Sequence, residues 1–404
     1  MKRILIFSLA YYPRFVGGAE VAIKEITDRI APEEIEFHMV TLRFDASLPR
    51  HSKEGKVFVH RVGFGRRNAS VASTHHSLVY IDKVFFVPLA ALAALRLHAK
   101  LHFDAWWAMM SYMVFPIVLL RLIGVRPPYV LTLEEGDPFE HVYGRAHIRF
   151  FEPLLRWGFR HASTIHAEST FLGTWARQWA FQGPLEVIPN GMSAERFKQM
   201  PPSELLKTVR VNIGKKEGET WLVHTGRLVH KNALDVVIRA LPLLPEQVHL
   251  FMLGDGPDKE MLAELADELG VSARTHFHPY VAIEEVPNYL KSCDIFIRPS
   301  RSEGMGNSFI EAMAAGLPVI ATQEGGIADF LFDAKRNTNK ETTGWAVDTD
   351  SPEQIATVVK EILSDTAQTA RVTTTAKQLV FRDYDWDLIA RKIKALFARV
   401  LETK

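Results

Sequence analysis

The sequence predicts an α/β protein built from two doubly wound, Rossmann-like domains that face each other across a cleft. Short apolar segments typical of buried parallel strands alternate with amphipathic segments of helical length. This alternation runs twice along the chain and restarts near residue 190, after "VIPNG". With 404 residues the chain is also too long for one ordinary core. We expect domains at 1–188 and 189–375, with 376–404 as a helix that packs back toward the first domain.

In the first half the predicted helices are "GGAEVAIKEITDRI" and "TFLGTWARQWA". The predicted strands are "RILIFSL", "EFHMVTL", "VFVHRV", "DAWWAMM", "YVLTLEE", "STIHAES" and "LEVIPNG". The opening "MKRILIFSLAYYP" is interpreted as a strand rather than a signal peptide, because Pro13 and no small-residue cleavage site follow it.

The second series is more regular. Its predicted strands are "TWLVHTGRL", "VHLFMLGDG", "THFHPYV", "DIFIRPS" and "PVIATQ". Its predicted helices are "ALDVVIRALPLL", "PDKEMLAELADELG", "IEEVPNYLKSC" and "NSFIEAMAAG", with "DYDWDLIARKIKALFARVL" as the last helix. Strands that alternate with helices in this way indicate parallel sheets covered on both faces.

Composition excludes some classes of function. Lys+Arg and Asp+Glu number 48 and 47, so the whole molecule offers no electrostatic case for nucleic-acid binding. The single cysteine, Cys293, excludes an intramolecular disulfide and is typical of a reducing compartment. We therefore expect a cytoplasmic protein.

Two long apolar stretches, 84–97 and 105–125, raise the question of a membrane. The second contains Pro116 and Arg121, and its pattern predicts a strand followed by a buried helix rather than a membrane span. For both stretches the sequence favours core helices beside a solvated basic loop. Peripheral contact with the cytoplasmic membrane face is the alternative that stays open.

The stretch "EGMGNSFIEAMAAGLPVIA" carries two carboxylates eight residues apart, Glu303 and Glu311. A glycine-broken loop separates a buried strand from a short helix here, at the sheet edge where open α/β sheets bind ligands. Free N–H groups at the helix start favour an anion such as a diphosphate. Glu311 lies roughly 7–8 Å along the helix axis, so each end of a bound diphosphate would have one carboxylate to accept sugar hydroxyls. The spacing fits a sugar nucleotide; a helix-capping Glu303 and a solvated Glu311 are the alternative.

A second cluster of charge is "HTGRLVHKNALDVVIRAL". Arg227 and Lys231 follow a strand closely and precede a helix, so both cations reach the same sheet edge. Arginine suits bidentate phosphate contact, and lysine acts as a point charge.

Taken together, these segments resemble the retaining GT-B glycosyltransferases of family 4, over nearly the whole chain. The matching motifs are "GGAE" (17–20), "VIPNG" (187–191), "GRLVHKN" (226–232), "LFMLGDGP" (250–257), "PSRSEGMGNSFIEAMAAGLPVIAT" (299–322) and "GG" (325–326). The resemblance implies transfer of a sugar from a nucleotide donor, with retention of anomeric configuration and with neither a metal nor a cofactor.

Roles follow from the resemblance residue by residue. Glu303 would hold the hydroxyls of the donor sugar, Glu311 would hold the ribose, and Arg227 and Lys231 would neutralise the diphosphate. The Gly17–Gly18 turn would close over the phosphates from the first domain. The remaining expected donor contacts come from Gly304, Met305, Gly306, Asn307 and Ser308.

The chain departs from the family after the strand "YVLTLEEGD". Many members carry a histidine there, near the donor sugar and acceptor, whereas this chain has Glu134 and Glu135. Glu134 is our candidate to orient an acceptor hydroxyl or to act as a base. The "DTD" at 348–350 mimics the metal-binding Asp-x-Asp of another transferase fold, but it lies where an ordinary helix cap is expected, so no metal site is predicted.

The predicted function is transfer of a hexose-type sugar from a UDP- or GDP-sugar to a hydroxyl of a glycan or lipid-linked saccharide. This reaction belongs to cell-surface polysaccharide or glycolipid synthesis. Three alternatives share the fold: a sugar-nucleotide epimerase, a phosphorylase-like enzyme with pyridoxal phosphate, and a non-catalytic sugar-nucleotide binder. Acceptor specificity is expected in the loops 43–77 and 134–150.

Overall fold

The computed structural model describes residues 1–14, 16–66, 77–144 and 149–402. Parts of both predicted acceptor loops therefore lie outside the described residues. Two compact units share the chain: Met1–Asn190 together with the segment from Trp386 onward form the first unit, and Gly191–Asp385 form the second. The sequence placed these changes of domain at 188/189 and at 375/376. The second change therefore comes ten residues later than expected.

The first unit contains one eight-stranded sheet in the order β3-β4-β2-β1-β5-β6-β7-β8. Seven strands are parallel, and β3 pairs antiparallel with β4 at the edge. The strands are β1 (Lys2–Phe7), β2 (Ile35–Leu42), β3 (His51–Glu54), β4 (Val57–Val62), β5 (Ala105–Met109), β6 (Tyr129–Leu133), β7 (Thr164–Ala167) and β8 (Leu185–Val187). The described helices are α1 (Gly18–Asp28), α2 (Ser77–Leu101), α3 (Val114–Leu122), α4 (Phe139–Tyr143), α5 (Glu152–Arg160) and α6 (Thr170–Gln178), and α15 (Trp386–Glu402) joins them from the far end of the chain.

The second unit contains a six-stranded, all-parallel sheet in the order β11-β10-β9-β12-β13-β14. Its strands are β9 (Thr220–Thr225), β10 (Val248–Leu253), β11 (Thr275–His278), β12 (Ile295–Arg298), β13 (Val319–Ala321) and β14 (Trp345–Ala346). Its helices are α7 (Ala194–Lys198), α8 (Ser203–Ile213), α9 (Leu234–Ala240), α10 (Lys259–Glu268), α11 (Val286–Leu290), α12 (Asn307–Ala315), α13 (Pro352–Ser364) and α14 (Thr366–Asp383).

Both sheets are covered on their two faces, as the apolar strands require. In β5, for example, Trp106 and Trp107 are both fully buried and point into two different core clusters. Such opposite burial follows from the alternation of side chains along a strand. The α/β architecture with two Rossmann-like units, predicted from the sequence, is confirmed.

Each sheet has one point where the strand order reverses. In the first unit it lies between β1 and β5, and in the second unit between β9 and β12. At such a point the loops that leave two neighbouring strands run to opposite sides and leave a crevice at the carboxyl edge of the sheet. The two predicted charged clusters of the second unit follow β9 and β12.

Helix α2 corrects the expectation that 84–97 is a core helix. The described part of the chain contains one helix, Ile81–Leu101, that is long and apolar enough to cross a membrane by length and composition, with a mean hydropathy of 1.6. Only 22% of its most apolar window is buried. Val84 and Phe85 are each 58% exposed, so one side of this helix contributes little to the core. The stretch 105–125 does form the predicted buried strand and helix, β5 and α3.

The predicted helix 376–404 is also corrected, because two helices share this region. Helix α14 ends at Asp383, and α15 starts at Trp386. Between them Tyr384 accepts a backbone hydrogen bond from Met192, and Asp385 forms a β-bridge with the same residue. These bonds replace helical ones, so the chain is extended for one step before it enters the first unit.

Candidate functional site

Two loops of the second unit, which leave the neighbouring strands β9 and β12, bring most of the predicted residues together. We call residues 226–233 the cation loop and residues 299–306 the carboxylate loop. Lys231 in the cation loop lies 3.7 Å from Glu303 in the carboxylate loop, measured from Nζ to Oε1. The predicted meeting of these two residues is therefore observed within one unit.

Glu303 is buried, with 6% of its surface exposed, and two cations compensate its charge. Its second oxygen, Oε2, accepts a hydrogen bond from the Arg298 guanidinium, and the Gly304 N–H also points to the carboxylate. Burial alone would raise the pKa of Glu303, but the charges of Arg298 and Lys231 outweigh it and hold the pKa below its ordinary value. Glu303 is thus an ionised acceptor inside the protein.

Direct bonds fix the cation loop against the carboxylate loop. The Arg301 amide donates to the Lys231 carbonyl at 2.7 Å, and the Arg301 guanidinium donates to the His230 carbonyl at 2.7 Å. Asn232 accepts from Arg298 at 3.0 Å and donates to the Arg227 carbonyl at 2.6 Å. Both loops therefore hold their charged side chains on a rigid frame.

The "GDGP" motif supports the cation loop from the other side. Leu228 donates to the Asp255 carbonyl at 3.0 Å. A Cβ atom on Gly254 would lie 1.9 Å from the Gly226 oxygen, and one on Gly256 would lie 2.1 Å from the Leu228 oxygen. Only glycine permits this approach of two backbones. The two glycines of this motif therefore have a structural role, which is to let its backbone pack against the cation loop.

The carboxylate loop ends at the start of α12, and its geometry argues against the capping alternative. Gly306 is the residue before the helix, with φ +88°, and a Cβ there would lie 2.7 Å from the Phe309 ring. The carboxylate of Glu303 binds Arg298 and Lys231 rather than capping α12. Glu311 lies in the second turn of α12 and is partly exposed.

The other predicted donor contacts are placed as follows. Asn307 and Ser308 form the first turn of α12, and the Ser308 hydroxyl accepts from Arg298 at 2.8 Å. The Met305 side chain is 1% exposed and packs in the core of the second unit, so only its backbone is available to a ligand. Arg227 is exposed at the mouth of the site.

In the first unit, Gly17 and Gly18 lie at the start of α1. The Gly17 N–H donates to the Glu20 carboxylate at 2.7 Å, and both glycines are exposed. A Cβ on Gly18 would meet nothing within 4 Å. The packing of the first unit therefore does not require glycine at position 18.

The residues that replace the family histidine lie just beyond β6, which ends one residue before Glu134. Both carboxylate oxygens of Glu134 are buried, and neither has a hydrogen-bond partner among the described residues, although the rest of the residue is partly exposed. Burial raises the pKa of Glu134 to about 8; the nearby Asn190 amide opposes this shift, and the charges of Glu20 and Glu135 increase it. Burial also raises the pKa of Glu135, against a hydrogen bond of 2.7 Å from the Ser111 amide. Glu134 therefore carries a proton at neutral pH.

Arg298 is the site residue that the sequence analysis missed. It ends β12, is 8% exposed, and binds side chains from both loops. Its signal in the sequence is a cation that interrupts the apolar strand "DIFIRPS". Such a buried charge needs a partner, and this need could have indicated its role.

The "DTD" residues are engaged in ion pairs. Asp348 pairs with Arg336 at 2.8 Å, and Asp350 pairs with Arg301 at 2.6 Å. In the described residues, no group of three or more His, Cys, Asp or Glu side chains is placed to hold a metal ion.

Comparison with known proteins agrees with this arrangement. Residues 17–191 match the model of the "Glycosyl transferase 4-like domain" family, and residues 207–379 match that of "Glycosyl transferases group 1". The chain belongs to the family 4 glycosyltransferases. Together the two matches cover most of the chain, including the cation loop and the carboxylate loop.

Among curated relatives, this glycosyltransferase is similar to the GDP-mannose-dependent alpha-(1-6)-phosphatidylinositol monomannoside mannosyltransferase of Mycobacterium tuberculosis. Identity is 31% over 219 residues, which cover 52% of this chain and 54% of the relative. The chain thus spans about half the length of this relative. It is also 26% identical to the 2-deoxystreptamine glucosyltransferase of Streptomyces kanamyceticus over 279 residues, 66% of this chain and 68% of the relative.

Among solved structures, the glycosyltransferase resembles sucrose-phosphate synthase from Thermosynechococcus elongatus. The TM-score is 0.83 at 17% identity, with 100% of both chains covered. It also resembles Anabaena HepE in complex with UDP-glucose, with a TM-score of 0.76, 20% identity, and 99% and 100% coverage. At such identities the likeness concerns the fold, which is GT-B.

Proposed function

We propose that this glycosyltransferase moves a hexose-type sugar from a UDP- or GDP-sugar to a hydroxyl of a glycan or lipid-linked saccharide, with retention of configuration. The observation that carries the proposal is Glu303, ionised and buried beside Lys231 where the strand order of the second sheet reverses. Relatives named as GDP-mannose-dependent and as acting in lipopolysaccharide core synthesis support this class of donor and acceptor. The setting would be cell-surface polysaccharide or glycolipid synthesis in the cytoplasm.

The proposed donor contacts follow from the charges. An acceptor-only carboxylate suits sugar hydroxyls, so Glu303 holds the hexose, and Glu311 on α12 holds the ribose. Arg227 and Lys231 bind the diphosphate, helped by N–H groups at the start of α12. Gly17 and Gly18 supply phosphate contacts from the first unit.

The proposed mechanism relies on the leaving group. When the nucleoside diphosphate departs, negative charge builds on it, and the fixed cations with the helix N-terminus stabilise that charge. The leaving phosphate accepts the proton of the attacking hydroxyl on the same face, so that configuration is retained without a protein nucleophile. This scheme needs no metal and no cofactor.

Glu134 is proposed to orient the acceptor hydroxyl. Because its pKa is raised to about 8, the group is mainly protonated at pH 7 and can both donate and accept a hydrogen bond. This protonation state favours an orienting role over that of a general base at neutral pH.

We also propose peripheral contact with the cytoplasmic membrane face, through a patch of exposed apolar side chains on the first unit. Val84 and Phe85 on α2 are each 58% exposed, and Phe150 is 78% exposed. The Tyr112 hydroxyl donates to the Lys83 carbonyl on α2 at 2.7 Å. From Tyr112, edge-to-face ring contacts continue through Phe115 and Phe151 to Phe150. Exposed aromatic and aliphatic side chains on one side of a helix are typical of surfaces that enter the bilayer interface.

Vesicle flotation tests the membrane proposal. The double variant V84E/F85E should lose most of its binding to vesicles of phosphatidylcholine with phosphatidylglycerol. The control V211E makes the same kind of change at a residue that is 75% exposed in the second unit and should bind as the wild type does. Equal binding by all three proteins would contradict the proposal.

Screening UDP- and GDP-sugars for thermal stabilisation, followed by product analysis, tests the main proposal. A transfer product whose anomeric configuration by NMR equals that of the donor, formed in the presence of EDTA, is the expected result. An epimerase would change the donor without transfer, and a binder would be stabilised without turnover. Visible absorbance of the purified protein would indicate pyridoxal phosphate and contradict the absence of a cofactor.

A further inference from the structure

Arg298 connects the carboxylate loop and the start of α12 to the cation loop, which is distant in sequence. Its guanidinium binds Glu303, donates to Asn232 at 3.0 Å and to Ser308 at 2.8 Å, and lies over the Phe309 ring at 5.1 Å from the centroid. Its Nε donates to the Ser300 hydroxyl at 3.2 Å. Partners on the cation loop, the carboxylate loop and α12 therefore fix this side chain from several directions.

The two cations beside Glu303 differ in how they contact it. Arg298 contacts Oε2, whereas Lys231 lies 3.7 Å from Oε1. The Lys231 side chain is 18% exposed, compared with 9% for Arg298. Lysine carries a compact charge on a flexible stem and suits a phosphate as a point charge. The Arg298 guanidinium cannot move without breaking its bonds to Asn232, Ser300 and Ser308.

We propose that Arg298 is a positioning residue that keeps the Glu303 carboxylate charged and oriented toward the donor sugar while Lys231 binds the diphosphate. The inference rests on the proposed function. Without Arg298, the cations left near Glu303 would be Lys231 and Arg227, which the diphosphate also attracts. Burial would then favour the protonated form of Glu303. A protonated Glu303 is neutral, so it is a weaker acceptor for the sugar hydroxyls than the carboxylate.

Other charged or titratable groups of the described residues also lie near Arg298 and Glu303. The positive charge of Arg227 acts on both of these residues. His224, near the end of β9, lies beside Arg298 and is fully buried; burial and then the charge of Arg298 lower its pKa to about 3, so it is neutral while Arg298 is present. Arg298 is thus a fixed cation beside Glu303.

The test measures how the sugar contributes to binding as the pH changes. Calorimetry gives Kd for GDP-mannose and for GDP, and for UDP-glucose and UDP, between pH 6 and pH 8.5. The ratio of the two Kd values isolates the sugar from the diphosphate. The variants are R298Q, R298K, E303Q and the matched control R336Q, which removes an arginine of the same unit that pairs with Asp348 and lies outside both loops.

For the wild type and R336Q the ratio should be constant over this range. In R298Q the pKa of Glu303 should rise, because burial is no longer outweighed by the Arg298 charge. Below that pKa the sugar contribution should fall by up to about tenfold per pH unit, and it should recover at high pH. R298K should lie between them, and E303Q should lower the contribution at every pH. A pH-independent ratio in R298Q, with GDP or UDP still bound, would overturn the inference. Failure of the wild type to bind any nucleotide or nucleotide-sugar would instead refute the proposed function.

Discussion

Replacing Glu303 by glutamine should destabilise the second unit, and the structure allows the size of the effect to be worked out. The substitution keeps the shape and one acceptor, but it removes the charge that compensates Arg298, which is only 8% exposed. Breaking a buried ion pair by removing one partner typically costs about 3–5 kcal/mol. Because glutamine still accepts one hydrogen bond from Arg298, we expect the lower end, about 3 kcal/mol. For a unit of this size such a loss lowers Tm by roughly 6–12 °C.

Scanning calorimetry of the ligand-free protein at pH 7 measures this loss. The control is Glu264→Gln, an exposed position on α10 in the same unit, where we expect a change within about 0.5 kcal/mol. Since the pKa of Glu303 is lowered in the folded state, its stabilisation is present above the unfolded value near 4.3 and is lost as the pH falls through the folded pKa. The difference between wild type and variant should therefore be full at pH 7 and shrink below about pH 4. Equal costs for Glu303→Gln and Glu264→Gln at pH 7 would refute this account of the site.

Three further predictions concern donor binding, titration and backbone packing. Lys231→Ala and Glu311→Ala should each remove most of the roughly 2.7 kcal/mol that a donor adds at 100 times its Kd while the ligand-free protein stays folded, and unchanged donor affinity in both would contradict the site. Glu134→Gln should stabilise the protein by on the order of 3 kcal/mol at pH 7–8 and have no effect near pH 4. The reason is that a raised pKa in the folded state makes the wild type lose stability as the pH rises from the unfolded to the folded pKa of this group. A pH-independent difference between the two proteins by calorimetry would contradict this prediction. Gly256→Ala places a methyl group against the Leu228 oxygen and should cost on the order of 3 kcal/mol, together with weaker donor binding; a wild-type Tm would show that the two loops can separate.

The sequence predicted the regular elements well because the central strands of these sheets are buried on both faces and appear as apolar runs. In β9, for instance, five of six residues are buried. Strand β3 was not predicted, because "HSKE" is polar and shows no apolar periodicity. It is a strand because it pairs with β4, the next segment of the chain, at the edge of the sheet. The interdomain cleft stays a prediction.

The meeting of Lys231 with Glu303 was predictable for a topological reason. Each follows a parallel strand, and residues after such strands lie at one edge of the sheet. Arg298 was not predictable in the same way. The charge in an apolar strand indicates that a partner is needed, but its partner Asn232 is 66 residues away in the chain and is identified only when both loops are in place.

Glu303 and Glu134 show why residue type and topology alone do not give a role. Both follow parallel strands, β12 and β6, and both have buried carboxylate oxygens. Two cations lower the pKa of Glu303, whereas the carboxylates of Glu20 and Glu135 increase the rise that burial causes in the pKa of Glu134. At neutral pH one group therefore only accepts hydrogen bonds, and the other can also donate one. The difference comes from the charged neighbours, of which Lys231 and Glu20 are remote in sequence, and it decides which of the two carboxyl groups carries a charge at neutral pH.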